Sequence, residues 1–73
     1  MIDMIPVDSS HIVAIGFAEA TAELHIEFSR PQVVTYAYYI VKKDVFEGLL
    51  RAESKGHYFN DFIKGRYPYR PVG

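Results

Sequence analysis

The stretch Glu23-Leu24-His25-Ile26-Glu27-Phe28-Ser29-Arg30-Pro31-Gln32-Val33-Val34-Thr35-Tyr36-Ala37-Tyr38-Tyr39-Ile40-Val41 decides the fold. Its first six residues alternate strictly: Leu24, Ile26 and Phe28 fall on one side, Glu23, His25 and Glu27 on the other. A period of two with one apolar side marks a strand that buries one face and wets the other. Ser29-Arg30-Pro31-Gln32 makes a turn. Val33 to Val41 is rich in β-branched and aromatic residues, so another strand follows. On it Val34, Tyr36, Tyr38 and Ile40 share one face, and Val33, Thr35, Ala37 and Tyr39 the other. So short a connection implies antiparallel pairing.

Toward the N-terminus, Val13, Ile15 and Phe17 alternate and predict a strand over residues 11–17. Residues 18–22 must turn the chain, although they contain no Gly, Pro, Asn or Asp. Residues 1–10 read as a lead-in, with Pro6 lacking a backbone donor and Asp8-Ser9-Ser10 offering turn chemistry. Toward the C-terminus, Asp44 with Glu47 resembles a capping box, with Asp in place of the usual Ser or Thr. Val45, Phe46, Leu49 and Leu50 then recur at helical spacing, predicting a helix to about residue 53. Ser54 caps a second helix with an apolar stripe of Tyr58, Phe59, Phe62 and Ile63, and Gly65 ends it. Tyr67-Pro68-Tyr69 and Pro71 hold the tail extended. The expected class is α+β: a three-stranded antiparallel meander followed by two short helices, β-β-β-α-α. The helices cover one sheet face, and residues 1–73 form a single domain.

A chain of 73 residues is near the size at which one core barely suffices. It has no Cys, which excludes disulfides and thiolate metal sites. Stability must come from packing, for which the rings are well suited, or from a partner chain. The net charge of −1 is unevenly spread. Residues 1–36 carry one cation and five acids, a net of −4, whereas residues 37–73 carry seven cations and four acids, a net of +3. Such polarity suits an anionic partner, or the association of unlike ends. No apolar run approaches a membrane span, no signal-peptide pattern is present, and a cytoplasmic protein is expected.

The binding chemistry concentrates in residues 54–70. Ser54-Lys55-Gly56 places backbone donors, a charge and an open glycine at a helix start, which suits a phosphate; a cap beside a solvated lysine is the plainer reading. Lys64-Gly65-Arg66-Tyr67-Pro68-Tyr69-Arg70 alternates cations and rings, which suits a single strand of nucleic acid; the plainer reading lays the tyrosines over the core. Tyr36 and Tyr38 would stack bases on an open sheet face, but their apolar neighbours Val34 and Ile40 favour a core role. Asn60 suits a base edge or, more commonly, a fixed backbone turn. Glu23, His25 and Glu27 are accounted for as the wet side of an amphipathic strand, so no metal is expected. His11, His25 and His57 show no nucleophile or acid partner in sequence, so no catalytic residue and no cofactor are expected.

These residues resemble the KTSC domain, a small bacterial and phage family named after the C-terminus of some lysyl-tRNA synthetases. The resemblance runs from Ile5-Pro6-Val7 through the tail. It is carried by Ser10 with Ile12, by Ile15-Gly16-Phe17, by Leu24, Ile26 and Phe28, and by Tyr36-Ala37-Tyr38. Ser54-Lys55-Gly56, Tyr58-Phe59-Asn60, Ile63-Lys64 and Tyr67-Pro68-Tyr69 carry its C-terminal part. It implies a compact stand-alone domain for which RNA binding is proposed from the synthetase context. The chain departs from the family pattern at Arg30-Pro31 and at Val41-Lys42-Lys43, loops able to re-aim a binding surface.

The sequence therefore predicts a non-catalytic binding domain with nucleic acid, RNA foremost, as its ligand. Lys55, Lys64, Arg66 and Arg70 would meet phosphates, with Gly56 giving access and Tyr67 and Tyr69 stacking or positioning. The alternative is a protein-interaction module, such as a phage-encoded modulator of a host protein or a small homodimer, using exposed aromatic area.

Overall fold

Alternating apolar residues build an antiparallel sheet whose strand order follows the chain. The computed structural model describes residues 2–72. Strands are β1 (Ile5–Pro6), β2 (Ile12–Ala18), β3 (Glu23–Phe28), β4 (Val34–Tyr38) and β5 (Tyr69–Pro71), with helices α1 (Lys43–Arg51) and α2 (Lys55–Phe62) between β4 and β5. The expected three-stranded meander is thus the centre of a five-stranded sheet. The lead-in and the tail add the two edges because both already have extended, proline-containing backbone, which pairs along one side only.

Register places the core on one face. Ile26 stands between Ile15 and Tyr36, and Leu24 between Phe17 and Tyr38. The helices cover this face. Phe46 of α1 stacks on Phe17 with centroids 5.4 Å apart, and Phe59 of α2 meets Phe28 edge-on at 5.2 Å. Leu49 of α1 and Ile63 just past α2 are wholly buried with Ile12, Ile15, Leu24 and Ile26. On the reverse face, residues 2–4 lie over Gly16, where a Cβ would come within 2.7 Å of the Asp3 carbonyl oxygen.

Four local expectations change. A bulge between Ile12 and Ala14 makes Val13 an extra residue. Ile12 takes the core position and Val13 turns out to solvent, because a bulge shifts the period of two by one. Ile40 leaves the face of Tyr36 and Tyr38. Its φ is +60°, its side chain is 76% exposed, and Val41 is buried instead. Asp44 does not cap α1. The cap position is Lys42, with no side-chain bond, and Asp44 lies inside the first turn, where its charge complements the positive helix end. The helix stops at Arg51, two residues short of the expected end.

Ser54 does cap α2, its hydroxyl accepting from the His57 N–H at 3.3 Å. Gly65, at φ +77°, supplies the left-handed turn that sends the chain back to the sheet. Among the described residues no helix is long and apolar enough to cross a membrane.

Candidate functional site

The core face is not wholly covered. Between α2, the β3–β4 turn and the edge at β5 lies an open cleft of about 620 Å³. The sheet contributes Phe28, Tyr36 and Tyr69, and α2 adds Phe59. These rings are braced against one another. Tyr36 meets Phe28 at 6.0 Å and Tyr69 at 5.5 Å, both edge-on, and Tyr38 beneath touches Phe59 at 5.8 Å. Such mutually packed rings present a rigid apolar surface with little rotamer freedom left to lose.

Polar groups converge on that surface from two elements. Gly56, Asn60 and Lys64 are spaced by four along α2 and its exit, so they share one side. Arg30 and Gln32 come from the β3–β4 turn, and His11 from the start of β2. Among the described residues, neither amide and neither cation of this set makes a side-chain hydrogen bond or ion pair within the protein. Among the described residues no Asp or Glu lines the cleft.

Sheet alternation separates the acids from the cleft. Glu23 and Glu27 pair opposite Ala18 and Ala14 on the reverse face. There the His25 ring, with Nε2 protonated, donates to Glu23 at 3.1 Å and holds that carboxyl below its ordinary range. This bond answers for the pattern Glu23-x-His25. Among the described residues no three His, Asp or Glu side chains gather to hold a metal ion. On the cleft side, burial pushes the Tyr38 hydroxyl well above its ordinary value, helped by Tyr69 and Tyr36 nearby, so it stays neutral.

The residues predicted from sequence divide. Gly56, Lys64 and Tyr69 line the cleft. Lys55 is turned to the C-terminal end of α1, where Nζ donates to the carbonyls of Ala52 at 2.7 Å and Leu50 at 3.3 Å. Arg66 donates from Nε to the Asp61 carbonyl at 2.9 Å. Tyr67 packs against the core. Arg70 pairs opposite Ala37, so it points to the reverse face from Tyr69, with its guanidinium 5.7 Å from the Tyr39 ring centroid. Sequence reasoning did not single out Arg30 and Gln32, which line the cleft. Their signal was a cation and an amide in the turn between two strands whose apolar faces coincide. Tyr38 is core as expected, but Tyr36 is half-buried and its ring reaches the cleft.

The arrangement defines a small α+β domain: a five-stranded antiparallel sheet, two helices on one face, and an acid-free aromatic cleft beside them. Residues 8–67 match the family model of the KTSC domain, and the chain belongs to that family. A crystal structure of a KTSC domain protein from Yersinia pestis superposes with a TM-score of 0.93 at 33% identity, covering all of both chains. A protein from Tsukamurella paurometabola is 42% identical over 64 residues, 88% of this chain and 92% of that one. The lysine–tRNA ligase of Nostoc punctiforme is 37% identical over 65 residues, 89% of this chain but 11% of the ligase.

Proposed function

We propose that this domain is a non-catalytic module that binds single-stranded nucleic acid, RNA foremost, in the cleft between α2 and the β3–β4 turn. The observation that carries the reading is the joining of Arg30 and Lys64 to an aromatic floor with no acid on its lining. Cations beside stackable rings suit a strand that offers phosphates and unpaired bases together. The likeness to a segment of ligases named for a tRNA favours RNA over DNA. Within the C-terminal set expected from sequence, the reading centres on Lys64, Gly56 and Tyr69; it adds Asn60 from α2 itself, and Arg30, Gln32 and Tyr36 from the β3–β4 turn and β4. The rival reading, a protein-docking module, draws on the exposed side chains of Val33, Ile40 and Phe62.

Fluorescence anisotropy with labelled single-stranded RNA, tRNA and single-stranded DNA across a salt series tests it. Two phosphate contacts on a single strand predict a log–log salt slope of roughly −1.4. Arg30→Ala with Lys64→Ala should flatten that slope and weaken binding while leaving the circular dichroism spectrum unchanged. Absence of binding at low salt, or binding indifferent to both substitutions, sinks the proposal.

A further inference from the structure

Gly56 has no evident task in the fold. Gly16 is required because residues 2–4 cross it, Gly48 because the Tyr58 ring lies on it, and Gly65 because its φ is +77°. At Gly56 a Cβ would meet nothing within 4 Å, and its φ lies outside the left-handed region. Gly56 is the second residue of α2, where glycine has a lower helix propensity than alanine and nothing blocks a side chain. Neither space nor backbone conformation therefore demands a glycine here. The missing side chain opens onto the cleft, one helical turn from Asn60 and two from Lys64.

We infer that Gly56 is an aperture through which one unstacked nucleobase enters the cleft, so that the ligand is a flexible strand and not a duplex. This rests on the nucleic-acid reading above. The rings of Tyr36, Phe59 and Tyr69 line the floor, and the flat ring of a base passes the bare backbone of α2 to pack on them. Asn60 and Gln32 each present a side-chain donor and acceptor that no group among the described residues occupies, which matches the edge of a base unpaired from its complement. Arg30 and Lys64 meet the flanking phosphates. The cleft, at about 620 Å³, is of small-ligand size, so a paired helix meets its mouth and not its floor.

The test compares Gly56→Ala and Gly56→Leu with the native chain, by urea unfolding and by anisotropy. The probes are an unstructured RNA oligonucleotide, the same sequence as a duplex, and adenosine monophosphate as competitor. Both variants should fold with an equal or higher urea midpoint. Gly56→Ala should weaken strand binding several-fold, and Gly56→Leu by at least about tenfold, the loss of one stacked base. The duplex should bind more weakly than the strand, and the mononucleotide should displace the strand only weakly, lacking its second phosphate contact. Strand binding untouched by Gly56→Leu, or a duplex bound as tightly as the strand, overturns the aperture and leaves the cleft as a binding site. A mononucleotide that competes as well as an unlabelled strand reassigns the ligand to free nucleotides and also overturns it. A native chain that binds no RNA at low salt takes down both readings together.

Discussion

Ile40 is a β-branched residue held in the left-handed region. A β-branched side chain at φ +60° costs about 1–2 kcal/mol, and this one is too exposed to offset it by burial. The backbone is held on both sides: Tyr39 N–H donates to Pro68 at 2.9 Å, and Val41 N–H to Ala22 at 2.9 Å. Ile40→Asn, which tolerates this conformation, should stabilise the domain by about 1 kcal/mol; an unchanged or lower urea midpoint would show the strain to be absent. Tyr38 makes a second prediction at this scale. Burial raises its hydroxyl above the ordinary 10.0. Its contribution is therefore fully present below pH 10.0 and is lost as pH rises through the raised folded value. Tyr58 is raised in the same direction by burial, with Asp44 and Tyr67 adding to it. Unfolding free energy should fall above about pH 10, and Tyr38→Phe should lessen that fall while leaving neutral-pH stability nearly unchanged. Equal alkaline profiles for the two chains would contradict the assignment.

The two helices meet through a glycine and a tyrosine. A Cβ at Gly48 would stand 2.7 Å from Cζ of Tyr58 and nearer still to its hydroxyl oxygen. Tyr58 is in turn packed on Phe62, with ring centroids 4.7 Å apart. Gly48→Ala gains about 1 kcal/mol of helix propensity but forces that ring aside at a cost of about 1–3 kcal/mol. The native chain should lose about 1 kcal/mol net, and the same substitution should become stabilising in a Tyr58→Leu background. Thermal unfolding of the four chains reads the reversal of sign; the same sign in both backgrounds would rule out the steric account. Elements of this kind differ in how far sequence shows them. The period of two in β3 and the Ser54 cap were legible because each depends on nearest neighbours along the chain. The β2 bulge, the departure of Ile40 and the two edge strands depend on partners elsewhere, so Val13 and Ile40 read as core residues and the tail as merely extended. The cleft was half legible for the same reason. Gly56, Lys64 and Tyr69 lie in the segment that stood out, whereas Arg30 comes from a turn 26 residues before Gly56 and meets it only in the fold.

At the scale of the whole molecule, sheet alternation keeps the acids of β3 away from the cleft. Strand alternation sends Glu23 and Glu27 to the reverse side, so neither carboxylate faces a ligand in the cleft. The sheet edges are short, and each contains a proline, Pro6 in β1 and Pro71 in β5. Both features oppose edge-to-edge pairing. Sedimentation at high protein concentration should accordingly give a monomer of 8.4 kDa. A dimer dispersed by edge substitutions would instead favour the interaction-module reading.

The central claim is that the aromatic cleft holds a nucleic-acid strand, and amide chemical-shift mapping during titration with an unstructured RNA oligonucleotide tests it most directly. The account predicts saturable shifts clustered at Gly56, Asn60, Lys64 and Gln32, with Glu23, His25 and Glu27 on the reverse face unmoved. Shifts centred on Lys55, Arg66 and Arg70 instead, or no shifts at low salt, would contradict it.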